Sequence, residues 1–197
     1  LKKSILHIVL TVFTITIWAK TVKNHNVAAP FNISIVQGGV AVSVVNNEIT
    51  LSKSPFDIVI DMPKPDGVLL NASTNKKTAT LALKNRPQAK LPGFKETGMA
   101  EALLNPDKEI ILAETAPSFW YYDNENEHRF NSVIKSDNGL KCIRSVENLY
   151  DRKTKNTIKI NDIKSKLYLV FIYNKPNTNY FDRIEEKREI IIINWKN

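Results

Sequence analysis

Residues 31–70 read FNISIVQGGVAVSVVNNEITLSKSPFDIVIDMPKPDGVLL, and the doublets Gly38-Gly39 and Asn46-Asn47 inside this stretch decide the fold class. Both residue types tolerate the positive φ that two-residue hairpin turns require. A turn at the first doublet sets Ile35 against Val42, Ile33 against Val44 and Ser34 against Ser43. A turn at the second sets Val44 against Ile49, Val42 against Leu51 and Ser43 against Thr50. The two registers are derived separately and put the same apolar residues on one face. Side chains alternate across a strand, so an error of one residue would scramble that face. The stretch therefore predicts three antiparallel strands with one apolar and one polar side.

The same period extends outward. Phe56, Ile58 and Ile60 alternate with Asp57, Val59 and Asp61. Met62-Pro-Lys-Pro-Asp-Gly67 follows as a turn, because its two prolines cannot donate to a ladder. Val68–Ala72 is then a return strand, and Thr78–Leu83 reads as another. The segment 84–106 is broken by Pro87, Pro92, Gly93 and Gly98, with room for one short helix over 97–104. Strands resume at Glu109–Ala113. Ser118–Tyr122 and His128–Ile134 pair around Asp123–Glu127, with Trp120 opposite Phe130 and Tyr122 opposite His128. Asn138-Gly139 predicts a tight hairpin with Ile134 against Ile143 and Lys135 against Cys142. Val146–Tyr150 fits either a strand or a helical turn, and Thr157–Asn161 is a short strand. Leu167–Tyr173 and Glu189–Trp195 are apolar on both faces, which is the pattern of strands covered from two sides.

These elements predict an all-β fold: an antiparallel β-sandwich of immunoglobulin-like or jelly-roll type with about ten strands. The meander packs its apolar face on the sheet that holds the C-terminal strands. An eight-stranded membrane barrel is the rival architecture. Nine prolines and the two-sided strand Leu167–Tyr173 argue against it, because barrel strands alternate apolar-out and polar-in.

Domain organisation follows from the first thirty residues. Lys2 and Lys3 precede an apolar run from Ile5 to Trp18 that ends at Ala19-Lys20, the pattern of a secretory signal peptide. The run is shorter than the roughly 20 apolar residues a membrane-spanning helix needs. The expected division is a signal peptide over 1–19, a linker over 20–30 and a single β-sandwich domain over 31–197. No transmembrane span is expected in the mature chain, and the signal peptide predicts export to the periplasm or beyond the cell. The leaning on Lys, Asn and Ile suggests an AT-rich bacterial gene. A lone cysteine, Cys142, closes no internal disulfide and reads as a small buried hydrophobe.

The formal net charge of +8 favours anionic partners such as envelope lipid or acidic polysaccharide. The densest basic run is Arg152, Lys153, Lys155 and Lys159, continued by Lys164 and Lys166. It lacks the interleaved aromatics of a base-stacking surface, so no nucleic acid is expected. The other candidate is an aromatic–acidic hairpin: Trp120 and Tyr122 lead into Asp123, Glu125 and Glu127, and His128 follows. Aromatic rings there can stack on a glycan whose hydroxyls the carboxylates accept. The same oxygens suit calcium, but the EF-hand spacing and its glycine are missing. Histidine is a side chain suited to general-base chemistry near neutral pH, which makes His128 a possible base, yet the sequence has no nucleophile elbow, zinc-protease motif or phosphate-binding glycine loop. No cofactor and no metal ligand set is indicated. The sequence thus favours a binding or structural module of the cell envelope over its alternatives. These are a secreted hydrolase that uses His128 or the carboxylates of 123–127, and a basic-patch binder of anionic polymer. The partner is expected to be a glycan, an envelope component or another protein.

Overall fold

Gly38 and Gly39 stand at φ 59° and 79°, and their turn joins β1 (Asn32–Gln37) to β2 (Val40–Val42) with Ile35 opposite Val42. That is the register the doublet implies. The structure, a computed structural model, describes residues 31–63, 67–84, 108–112, 118–122, 127–128, 130–176 and 183–196. The segments read as signal peptide and linker, the helix over 97–104, and Asp123 and Glu125 lie outside these residues.

The second doublet turns as expected, but the strand after it departs. Asn46 and Asn47 take φ 51° and 64°, and Val45 and Glu48 exchange backbone hydrogen bonds of 3.0 and 2.9 Å. Pairing stops at that bridge. β3 (Glu48–Leu51) instead runs parallel to the last strand, Arg183–Trp195, with Ile49 beside Ile193 and Leu51 beside Trp195. Burial explains the crossing. Ile49 and Leu51 enter the core at 3% and 0% exposure, while Val44 and Val45 are left 41% and 65% exposed. Full burial of one aliphatic side chain is worth about 1.5–3 kcal/mol, so sending Ile49 and Leu51 inward outweighs two partly wet valines.

The remaining strands are β4 (Phe56–Met62), β5 (Gly67–Ser73), β6 (Glu109–Leu112), β7 (Ser118–Tyr122), β8 (Glu127–His128), β9 (Ser132–Ser136) and β10 (Gly139–Val146). They are followed by β11 (Asn148–Asp151), β12 (Asn156–Lys159), β13 (Leu167–Pro176) and β14 (Arg183–Trp195). One sheet has the order β2-β1-β4-β10-β9 and is antiparallel throughout. The other runs β12-β11-β6-β5-β13-β14-β3, with β7 and β8 branching from β5. The turn after Met62 therefore carries the chain from one sheet to the other, and β5 is no return partner of β4. Three pairings in the larger sheet, β6–β11, β5–β6 and β3–β14, are parallel. Alternation reports which face a side chain takes and is silent on the direction of the neighbouring strand. The expectation of a wholly antiparallel fold fails for that reason.

The two sheets share one core. Ile35, Ile58, Ile60 and Cys142 of the smaller sheet meet Leu51, Leu70, Leu167, Leu169, Phe171, Ile191 and Ile193 of the larger. On the opposite face of β13, Tyr168, Val170 and Ile172 are covered by Ala79 and Ala82 of a helix, α1 (Lys76–Lys84). β13 is thus covered twice, as its sequence predicts.

That helix occupies the stretch expected to be a strand at Thr78–Leu83. Two features override the alternation. The Asn75 side chain caps the helix, its Oδ1 accepting from Lys77 N at 2.8 Å and Thr78 N at 3.3 Å. Ala79, Ala82 and Leu83 then fall at helical spacing on the face that meets β13. At the other end Arg188 donates to the Ala82 carbonyl.

The hairpin near Asn138 is also re-registered. Its two-residue turn is Asp137-Asn138, so Ile134 pairs with Lys141 and Cys142 with Val133. Gly139 (φ 126°) opens β10 instead, where an added Cβ would lie 2.3 Å from the Met62 carbonyl oxygen. The close approach of β4 takes the glycine from the turn. Val146–Tyr150, open between strand and helical turn in the sequence, divides between the end of β10 and β11.

Candidate functional site

The basic run is divided by the fold into two places. Asp151 Oδ1 accepts from Lys153 N at 2.9 Å and Thr154 N at 3.3 Å, closing the turn between β11 and β12, and Lys155 takes φ 58°. Arg152, Lys153 and Lys155 belong to this tip. Lys159 stands at the far end of β12, roughly 13 Å from Lys155 at the rise of a strand. Lys159 lines a cleft whose lining includes none of the tip residues.

Beyond Lys159 the chain makes a single 3-10 turn, Ile160–Asp162, and its path is set by buried anchors. Ile160, Ile163 and Leu167 are each drawn into the core. The side chains between them, Asn161, Asp162, Lys164, Ser165 and Lys166, are left exposed along one end of the two sheets. Two clefts open there. One, about 330 Å³, is lined by Lys53, Ser54, Pro55, Glu147, Asn148, Lys159, Ile160 and Asn161. The other, about 200 Å³, is lined by Lys53, Lys164, Ser165, Lys166, Asn194 and Trp195. Lys53 lines both.

The walls are held by specific bonds. Gln37 Oε1 accepts from Ser52 N at 2.8 Å, and its Nε2 donates to the Ser52 and Ser54 carbonyls at 3.0 and 3.1 Å. This clamps the loop that carries Lys53. Trp195 Nε1 donates to the Ser165 carbonyl at 2.8 Å, between Lys164 and Lys166, and the indole packs 6.3 Å from the Phe56 ring. Asn194 Nδ2 reaches Glu48 Oε2 at 2.8 Å. Lys196 N donates to the Leu51 carbonyl at 2.7 Å, joining the ends of β3 and β14.

The electrostatics are one-sided. Four lysines line the two clefts. The lining carboxylate, Glu147, is paired with Lys108 at 2.7 Å. Glu48, beside the smaller cleft, stands 3.9 Å from Lys166 in an exposed and hence weak pair. The clefts offer positive charge, amide and hydroxyl groups, and one indole.

The aromatic–acidic hairpin lies elsewhere. Tyr121 pairs with His128 and Tyr122 with Glu127, one residue out from the expected register, and Trp120 pairs with Val68 of β5 rather than with Phe130. On its other side β7 is held by Gly67–Leu70 of β5. Val68 also pairs with Tyr173, at the far end of β13 from Leu167 and Ser165. Six residues of strand, roughly 20 Å, separate the two surfaces. They are separate candidates. Asp57 and Asp61, which alternate with the apolar residues of β4, sit on the central strand of the smaller sheet, with Asp61 opposite Lys141. Among the described residues no group of three His, Cys, Asp or Glu side chains is arranged to hold a metal ion.

Sequence reasoning reached Lys159, Lys164 and Lys166 through their density. It missed Lys53, Asn194, Trp195 and Gln37, which arrive from β1, the loop after β3, and β14. Comparison with protein-family models, with curated proteins and with solved structures returns no match to this chain.

Proposed function

We propose that the chain is an exported, non-catalytic binding module that holds an anionic ligand in the two lysine-lined clefts. The observation that carries this reading is the convergence of Lys53, Lys159, Lys164 and Lys166 on adjoining clefts whose lining carboxylate, Glu147, is already paired with Lys108. Clustered exposed lysines concentrate anions from solution, and the attraction weakens as salt shortens the Debye length below about 8 Å. A hydrolase at this position would need an acid and a base at a set spacing, and the described lining holds one carboxylate, Glu147, in a half-exposed pair with Lys108. Two sheets on one core support a β-sandwich of the immunoglobulin-like or jelly-roll kind, here with three parallel pairings and a covering helix. Export is supported by the basic start, apolar run and Ala19-Lys20 of the first twenty residues.

The test is the melting temperature of the folded chain against a panel of anionic polymers, neutral glycans and calcium. A ligand that binds only the folded state raises it. The reading expects a rise with anionic polymers that fades with added salt. A rise with neutral glycans or calcium alone would overturn it.

A further inference from the structure

Resting on that reading, we propose that the ligand is a linear acidic polysaccharide that runs through both clefts across Lys53, and that Gln37 is the positioning residue for this crossing. Four observations carry the proposal.

The clefts measure about 330 and 200 Å³, and Lys53 lines both. Each is at or below the low end of pockets for compact small molecules, roughly 300–1,000 Å³. A chain that places successive residues in the two clefts fills them better than one compact ligand. The charge pattern also suits a chain: Lys159 belongs to one cleft, Lys164 and Lys166 to the other, and Lys53 to both.

The chemistry of the walls favours sugar over nucleic acid. Single-stranded nucleic acid is held by successive aromatic platforms and by arginine forks. The described lining has one indole, Trp195, and no arginine. Around the lysines stand Ser54, Asn148, Asn161, Ser165 and Asn194, whose amides and hydroxyls both donate and accept. That mixture suits a polymer with a carboxylate or sulfate on each residue and hydroxyls between. The C–H face of a pyranose can lie on the indole.

The site is preorganised. Gln37 binds the backbone of Ser52 and Ser54 on either side of Lys53, and Trp195 binds the backbone of Ser165 between Lys164 and Lys166. Lysines on clamped loops lose less freedom when a ligand arrives. Gln37 itself contributes to neither cleft wall, so its effect on binding passes through the loop it holds, which brings Lys53, Ser54 and Pro55 to the lining.

The experiment is calorimetric titration of the chain with oligogalacturonates and heparin-derived oligosaccharides of one to six residues, with maltohexaose as neutral control and hexathymidylate as the nucleic-acid probe. In at least one acidic series, affinity rises about tenfold or more from the single sugar to the hexamer as the second cleft is engaged. Lys53→Ala flattens that length dependence. Gln37→Ala lowers hexamer affinity and reduces the slope of log affinity against log salt, as Lys53→Ala does, which a general loss of stability would not do. Single sugars binding as tightly as hexamers would overturn the two-cleft path while leaving an anion site. Hexathymidylate binding tighter than every acidic oligosaccharide would overturn the polysaccharide assignment, again leaving an anion site. An unchanged salt slope in Gln37→Ala would remove its positioning role. If no anionic probe binds, the binding-module reading falls with it.

Discussion

The Gln37 side chain pairs with Ser52 through both atoms of its amide, accepting from the Ser52 N–H at 2.8 Å and donating to the Ser52 carbonyl at 3.0 Å. A side chain on β1 thus completes the backbone bonding of a loop in the crossover between sheets. Each such bond contributes about 0.5–1.5 kcal/mol net. Gln37→Ala is expected to lower the unfolding free energy by about 1–2 kcal/mol in urea titration. Gln37→Glu sets a carboxylate oxygen against the Ser52 and Ser54 carbonyls and should cost at least as much as alanine. A Gln37→Ala midpoint equal to the wild type would show that the clamp holds nothing.

Arg144 is 0% exposed within the core, and its Nη2 donates to the Glu109 carbonyl of the opposite sheet at 2.9 Å. It lies in the inward row of β10 with Leu140, Cys142 and Val146. Truncation removes both volume and the donor to a carbonyl, so Arg144→Ala should cost about 3 kcal/mol or more. Arg144→Met restores much of the volume but not the donor, and should cost less than Arg144→Ala. Denaturant midpoints separate the two, and equal losses would contradict this account of the site.

Gly139 has no room for a side chain. Its φ of 126° is strained for other residues, and a Cβ would stand 2.3 Å from the Met62 oxygen and 2.9 Å from Pro63 Cα. Gly139→Ala must push β4 and β10 apart, so a loss of about 2–4 kcal/mol is expected. Gly38→Ala, at a turn with open space around it, pays mainly for its positive φ and should cost about 1 kcal/mol. Thermal melts of the two variants should therefore differ, with Gly139→Ala the lower.

Asn75 holds the start of α1, and the helix covers Tyr168, Val170 and Ile172. Asn75→Ala should cost about 1 kcal/mol, while Asn75→Asp and Asn75→Ser keep an accepting oxygen and lose little. Circular dichroism with urea titration checks the order. An alanine variant as stable as the serine one would mean that Asn75 is no cap.

The contrast between Asn75 and Asn46-Asn47 shows what was legible in the chain. Both asparagine signals are local, and the turn at Asn46-Asn47 folds as read. Beside Asn75 the period-two pattern of 78–83 concealed a helix whose small residues, Ala79 and Ala82, are explained only by close approach to β13. Leu167–Tyr173 could be placed in the middle of the fold because its apolar residues fall on both faces. The crossing of β3 could not, because Ile49 and Leu51 alternate equally well beside β2 or β14, and the choice depends on which edge is open. For the candidate site, Lys159, Lys164 and Lys166 are close in sequence and were visible. Lys53 and Trp195 come from distant strands, and only the pairing of Leu51 with Trp195 brings them to the same end.

The central claim is that charge acts at the clefts and not merely through the basic excess of the chain. Lys53→Glu and Lys153→Glu change the net charge equally, but Lys53 lines both clefts and Lys153 belongs to the turn at the far end of β12. The decisive measurement is the affinity of each variant for an acidic hexasaccharide at one fixed salt concentration. Binding should be abolished in Lys53→Glu and nearly unchanged in Lys153→Glu. Equal weakening in both would mean that the protein attracts anions by net charge alone, and the clefts would not be the site.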